Sequence, residues 1–188
     1  GIDAAEDRER FDEVLNTCGI PRAKGTTVFT TEEALKAAHE LAQAARLQAA
    51  KRDQQRKLPW SLIETFTRSG LGGISIAREF GGAQVSFVTL AEVFAIISAA
   101  DPALGQIPQN QVGILSLIAA TATQAQKEQL FASVLQGWRI GNAGPERGSK
   151  NTLELKARIT ADGDGHVLNG QKFYSTGALF AHWVAVKA

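Results

Sequence analysis

Methionine is absent from all 188 residues, cysteine and tyrosine occur once each, and histidine occurs three times. A single Cys18 excludes an internal disulfide and fits a reducing compartment, so a cytoplasmic location is expected. His39, His166 and His182 are too dispersed for metal-ligand spacing, and no metal is expected. No apolar run approaches the roughly 18 residues of a membrane span, so no membrane partner is indicated. The acidic, amphiphilic stretch from Gly1 to Glu13 does not read as a secretory signal. The formal net charge is +1, with Lys and Arg scattered rather than striped, which gives no argument for nucleic acid. Neither G-x-x-x-x-G-K-[ST] nor G-x-G-x-x-G occurs, so P-loop and Rossmann fingerprints are both missing. What remains is globular in kind: 44% hydrophobic and 21% charged, enough for one good core or two small ones.

Punctuation along the chain predicts helices first and strands later. Residues 3–17 read as a short helix ended by Gly19-Ile-Pro21. Thr30 and Glu33 form a capping box, opening an Ala-rich helix that is expected to run to about Arg56. Pro59 opens a helix over Trp60 to Ser69, with Gly70 suited to its end. Leu71 to Gln84 is a Gly-punctuated loop. From Ser86 a helix carries apolar residues around nearly its whole circumference, with Glu92 its only charge, and so is expected to be buried on most sides. Asp101-Pro102 is an N-cap with Pro at the first helical position, and Pro108 should kink the stretch after it. Thr123 caps a helix to Gln136, ended by Gly137. The character changes at about Trp138: β-formers flank an Asp162-Gly-Asp-Gly165 turn, with the second strand expected from His166 to Tyr174. The expected plan is α+β, with an all-α helical domain at 1–137 followed at 138–188 by the start of a β-barrel-like domain. The lack of Met and a C-terminal apolar run, His182-Trp-Val-Ala-Val186, with no turn to close it point to a piece of a longer protein whose C-terminal portion is missing.

Two segments carry the candidate chemistry. Tyr174, followed by Ser175 and Thr176, places an aromatic ring beside small hydroxyls, a combination that holds a flat cofactor by stacking and edge hydrogen bonds. Such a stack is worth about 0.5–1.5 kcal/mol beyond area burial; the same Tyr could instead be a core aromatic. Thr176 is the better side-chain hydrogen-bonding candidate, and Ser175 offers mainly backbone groups. Upstream, Asn142, Ala143 and Gly144 are small enough to let backbone pass close beneath a ring, or are simply a Gly-rich strand at a bulge. Arg147 and Ser149 suit a phosphate, although an Arg in a loop is usually solvated. Asn110 lies in a polar island between apolar stretches, where its amide needs a partner: a cofactor edge, an oxygen species, or its own helix. Gln109 and Gln111 are weaker candidates of the same kind.

These residues resemble the acyl-CoA dehydrogenase superfamily over nearly the whole chain. The resemblance is carried by Gly70-Leu-Gly-Gly-Ile74 with Glu79-Phe-Gly-Gly82, by Ala91-Glu-Val-Phe94 through Asp101-Pro-Ala103, and by Gly163 to Lys172. Within it, Ile96 to Asn110 and Lys172 to Trp183 are similar to the SfnB-type sulfur-acquisition oxidoreductases, relatives of the dibenzothiophene monooxygenases. The superfamily's T-E-P-x-A-G-S-D segment is Ala143-Gly-Pro-Glu-Arg-Gly-Ser149-Lys150 here, and its W-I-T is Tyr174-Ser-Thr176. The branch's N-A-F-S-E-R-G becomes Asn142-Ala-Gly-Pro-Glu-Arg-Gly148, with Pro145 in place of Ser.

The resemblance implies a flavin site, with FMN as cofactor and FAD as the alternative. It implies the oxygenase component of a two-component monooxygenase, taking reduced FMN from a separate flavin reductase. Oxygen and a small organosulfur compound would be its substrates. Asn110 would be the catalytic residue, and Asn142, Ala143, Gly144, Arg147, Ser149, Tyr174, Ser175 and Thr176 would hold the flavin. An FAD-linked acyl-CoA dehydrogenase and a non-catalytic module are the alternatives. A homo-oligomer, tetrameric by analogy, is expected.

Overall fold

The computed structural model describes residues 30–148, 151 and 154–188; the helix expected at 3–17 and Ser149 lie outside them. Among the described residues six α-helices come first: α1 (Thr31–Arg46), α2 (Ala49–Gln54), α3 (Trp60–Arg68), α4 (Phe87–Ala100), α5 (Pro102–Thr121) and α6 (Gln124–Leu135). Four strands come after them: β1 (Ile140–Ala143), β2 (Arg158–Asp162), β3 (Gly165–Asn169) and β4 (Trp183–Val186). The order is therefore α then β, as expected.

The helix starts are built from side chains that satisfy free amides. Thr30 accepts from the Glu33 amide while the Glu33 carboxylate accepts from the Thr30 amide. Thr123 and Gln126 form the same reciprocal box at α6. Ser86 accepts from Thr89 N–H at α4, and Asp101 accepts from the amides of Ala103 and Leu104 at α5. Gly70 and Gly137 supply the left-handed turns after α3 and α6, at φ 80° and 97°.

Three expectations are corrected. The Ala-rich helix does not run on to Arg56 but breaks between Arg46 and Ala49. In an unbroken helix, residues seven apart stand about 10 Å apart along the axis. The break lets Arg52 Nη2 donate to Ala45 O at 2.7 Å and to Asp101 Oδ2 at 2.5 Å, tying the end of α1 to the cap of α5. Second, α4 is not buried on most sides. Leu90, Val93, Ile97 and Ala100 pack into the core, whereas Phe87 and Val88 are 78% and 77% exposed and Glu92 faces solvent. Third, the strand expected to reach Tyr174 ends at Asn169. Gly170, at φ 154°, comes so close to Ala157 that a Cβ there would lie 2.5 Å from the Ala157 Cβ, and the chain leaves the hairpin at that point. α5, by contrast, continues through Pro108, which is buried inside it.

The main core joins α1, α3, α4 and the start of α5 through Leu41, Ile63, Phe66, Val93, Ile97 and Leu104. A second cluster, Ile76, Leu115, Phe131, Val134 and Ile140, seats β1 against α5 and α6. β1 pairs in parallel with β4, Ile140 opposite Trp183 and Ala143 opposite Val186. β2 and β3 form an antiparallel hairpin around the expected turn. No described helix is long and apolar enough to cross a membrane.

Candidate functional site

One polar side chain fixes where β1 lies. Gln111 on α5 is 4% exposed; its Nε2 donates to Gly72 O at 2.8 Å and its Oε1 accepts from Ile140 N–H at 2.9 Å. Both ends of the amide are satisfied, so this glutamine bridges the glycine loop to the first strand. At the strand's start, Arg139 donates to Phe180 O, to Thr67 Oγ1 and to Glu64 Oε1, the last at 3.0 Å. The other edge of β1 is met by the chain after the hairpin: Asn142 N–H donates to Thr176 O and Phe173 N–H to Pro145 O.

With β1 so placed, a cavity of about 990 Å³ opens between α4, α5 and the strand. Phe87, Leu90 and Phe94 from α4 and Val112, Ile114 and Leu117 from α5 make an apolar wall. The amides of Gln109, Asn110 and Asn142 also line the cavity, with Gly144 and Glu146 following β1. Gly144 leaves room: a Cβ there would meet only the Asn142 Oδ1, at 3.4 Å.

Glu146 and Lys172 lock the floor beside that opening. Lys172 Nζ lies 2.6 Å from Glu146 Oε1, the two side chains being 9% and 3% exposed, and it also donates to Gly144 O at 3.1 Å. Glu146 further accepts from the backbone N–H groups of Lys156 and Ala157. The hydrogen bond from Lys172, with the two backbone donors, holds the Glu146 carboxyl at a pKa of about 2, below its ordinary 4.5. The carboxylate thus ties the end of β1 to the root of the hairpin.

Of the residues singled out in the sequence, Asn110, Asn142 and Gly144 come together in the cavity, with Gln109 beside them. The other described ones do not line it. Ala143 is 7% exposed, and its carbonyl accepts from Lys187 N–H. Tyr174 is 71% exposed with φ 55°, a left-handed conformation unusual for a bulky residue. The Arg147 guanidinium sits 4.5 Å from the Phe173 ring centre and 5.3 Å from that of Tyr174, so it stacks on aromatics here. Ser175 O accepts from Ala178 N–H, and Thr176 uses its backbone N–H on Tyr174 O. Gln111 proves to be the bridge already described. His182 Nδ1 accepts from Arg139 N–H, and burial followed by the Arg139 charge pushes its pKa down.

Glu146, Lys172, Phe87, Leu90 and Phe94 escaped sequence reasoning. A signal existed for Glu146: it is the lone carboxylate in a run of small residues. Nothing local pairs it with a lysine 26 positions on.

A helical body feeding a short strand that borders an amide-edged apolar cavity defines the class. Residues 30–138 match the acyl-CoA dehydrogenase N-terminal domain, and the chain belongs to that family. It is 34% identical over 143 residues, 75% of its length, to a dibenzothiophene monooxygenase of Rhodococcus erythropolis. It spans only 34% of that relative. Among solved structures, the FMN-bound TdsC of Paenibacillus sp. A11-2 superposes with a TM-score of 0.73 at 29% identity, over 81% of this chain and 38% of that one. A separate short likeness, 68% over 40 residues, is to the carbamoyl phosphate synthase large chain of Lachnoclostridium phytofermentans. It covers 4% of that enzyme and carries no functional reading.

Proposed function

We propose that this chain is the helical and first strand-bearing part of a flavin-dependent monooxygenase that oxygenates small organosulfur compounds. The observation that carries the reading is the cavity itself: an apolar wall with amides along it, in a chain whose relatives include dibenzothiophene monooxygenases. FMN is the proposed cofactor and FAD the alternative. A separate flavin reductase would supply it reduced, and oxygen would be the second substrate.

The residues fit a flavin in a specific way. A flat ring needs a slot with close backbone approach and polar atoms at its rim; Gly144 gives the approach, and Asn110 and Asn142 give the amides. Tyr174, Ser175 and Thr176, together with Ala143, Arg147 and Ser149, would be the further cofactor contacts. The cofactor supplies the oxygen-activating redox chemistry when bound. This chain's own part is to bind, to orient through Asn110 and Asn142, and to exclude water with the α4 and α5 wall. Working as a homo-oligomer, tetrameric by analogy, in the cytoplasm completes the proposal.

The test is a spectral titration of the full-length protein with FMN and FAD. FMN should shift in absorbance and lose fluorescence on binding; if neither flavin bound, the reading would fall. The family itself favours a second reading, an FAD-linked acyl-CoA dehydrogenase. Anaerobic mixing of the oxidised holoprotein with acyl-CoA bleaches the flavin only in that case. A third reading, a non-catalytic module that associates through the exposed Phe87 and Val88 face, predicts concentration-dependent sedimentation without flavin absorbance.

A further inference from the structure

The glycine-bearing loop Gly70-Leu-Gly-Gly-Ile74 stands out in the sequence, and the proposed function gives it no part. Its middle glycine, Gly72, does not adopt the left-handed backbone that Gly70 does. What excludes a side chain there is a neighbour: a Cβ on Gly72 would stand 2.9 Å from Gln111 Nε2. Glycine thus makes room for the glutamine amide, which donates to Gly72 O at 2.8 Å and accepts from Ile140 N–H at 2.9 Å. The two amides that line the candidate site flank this bridge. Asn110 directly precedes Gln111 on α5, and Asn142 stands two residues beyond Ile140 on β1. Consecutive helix residues point about 100° apart, so Gln111 can turn to the loop and strand while Asn110 lines the cavity.

We infer that Gln111, seated in the space left at Gly72, is a positioning residue that fixes the spacing between the Asn110 and Asn142 amides. This rests on the reading of the cavity as a flavin site. Two amides grip one ring together only when their separation matches it, and such a separation needs a support of its own. Gln111 is that support: it is 4% exposed, bonded at both ends, and ties the helix of one amide to the strand of the other. With the bridge lost, β1 shifts against α5, and each asparagine can still bond the ring but the two no longer do so at once. The glycine loop acquires a role in the site without touching its contents.

The experiment is a double-mutant cycle on FMN binding to the full-length protein. In the wild-type background Asn110→Ala and Asn142→Ala should each weaken FMN about tenfold, and together little more than either alone. In Gln111→Leu and in Gly72→Ala, FMN should bind about tenfold more weakly, with an altered visible spectrum, and the two asparagine losses should become independent. Gly72→Ala displaces only the far end of a flexible side chain, so it keeps the fold even if Gln111→Leu does not. Ile63→Ala, a core truncation whose residue does not line the cavity, controls for lost stability and should leave the coupling in place. Coupling that survives in either Gln111→Leu or Gly72→Ala overturns the proposal, as does its loss in Ile63→Ala. If neither flavin binds the wild type, the flavin reading falls, and hydrogen exchange at β1 decides the bridge by itself. Faster exchange there in both variants upholds the positioning role, and unchanged exchange overturns it.

Discussion

The helical region and the hairpin of this chain are held by different physics. From Thr31 to Leu135 every helix except the short α2 turns at least two residues into a core, and five side chains of α1 alone are buried. From Arg158 to Asn169 no strand residue is buried on either face; Ile159 and Leu168 are 59% and 49% exposed. Helices here are specified by caps and by an apolar stripe, both local. The strands are fastened by a few polar ties that reach far along the sequence: Gln111 to β1, Arg139 to the Ala178–Phe180 turn, Glu146 to Lys172. The cavity lies between α4, α5 and β1, so its shape depends in part on the tie that seats β1, which burial alone does not provide.

The largest expected effect tests this division directly. Ile63, 1% exposed in the main core, should cost about 2–5 kcal/mol on truncation to Ala, through lost transfer energy and a residual cavity. Leu168→Ala in the hairpin should change stability by less than about 0.5 kcal/mol, as exposed positions do. Urea titrations of the two variants decide it. Equal losses would mean that the hairpin has a core of its own.

Next in size is the glutamine that ties the helical region to β1. Gln111→Leu keeps the volume but strands the Ile140 N–H and the Gly72 carbonyl in a buried place. An unsatisfied buried group costs about 1–3 kcal/mol. The amide of Ile140 should also exchange with solvent faster than the helix amides of α6, which hydrogen-exchange mass spectrometry resolves. Retained protection at Ile140 would show that β1 is seated by its apolar contacts alone.

Legibility in the sequence divides along the same line. Thr30, Ser86, Asp101 and Thr123 were each readable as caps because a cap needs only the next three residues. The turn at Asp162 to Gly165 was readable for the same reason. The break at Leu47 was not, because the contact that it allows, Arg52 to Asp101, is to a partner 49 positions away. The early end of β3 was equally hidden: Gly170 reads as part of a strand unless Ala157 is known to press against it. In the candidate site, Asn110, Asn142 and Gly144 could be chosen for their chemistry, one by one. That the cavity would draw its wall from Phe87, Leu90 and Phe94 depends on α4 leaving one face open, which a uniformly apolar helix does not announce. The caps and the change of character at Trp138 supplied the α-then-β order, but not the parallel pairing of β1 with β4, which only appears once the chain has returned past the hairpin.

A smaller effect probes the locally specified side. Thr123→Ala removes the side-chain acceptor for the Gln126 amide at the start of α6 and should cost about 1 kcal/mol. The loss should appear as a lower urea midpoint with an unchanged slope. A changed slope would mean that α6 comes loose from the rest before global unfolding, and the helical region would then be less uniform than its core implies.

The narrowest effect lies on the tied side and is confined to acid. The Glu146 carboxyl sits at about 2 in the fold against an ordinary 4.5, so the unfolded chain takes up its proton first as pH falls. The charged carboxylate therefore stabilises the fold fully above about 4.5, and that contribution drains away as the pH drops towards 2. Glu146→Gln keeps the shape but loses the charge, and so should be less stable than the wild type at neutral pH. The gap should close across that acid window, because protonation makes the wild type resemble the variant. Urea midpoints of both proteins, taken stepwise through the window, measure the closing. A gap that stays constant would assign the effect of the substitution to packing and geometry alone, and the Lys172 ion pair would then not be what fastens the end of β1 to the hairpin root beside the cavity.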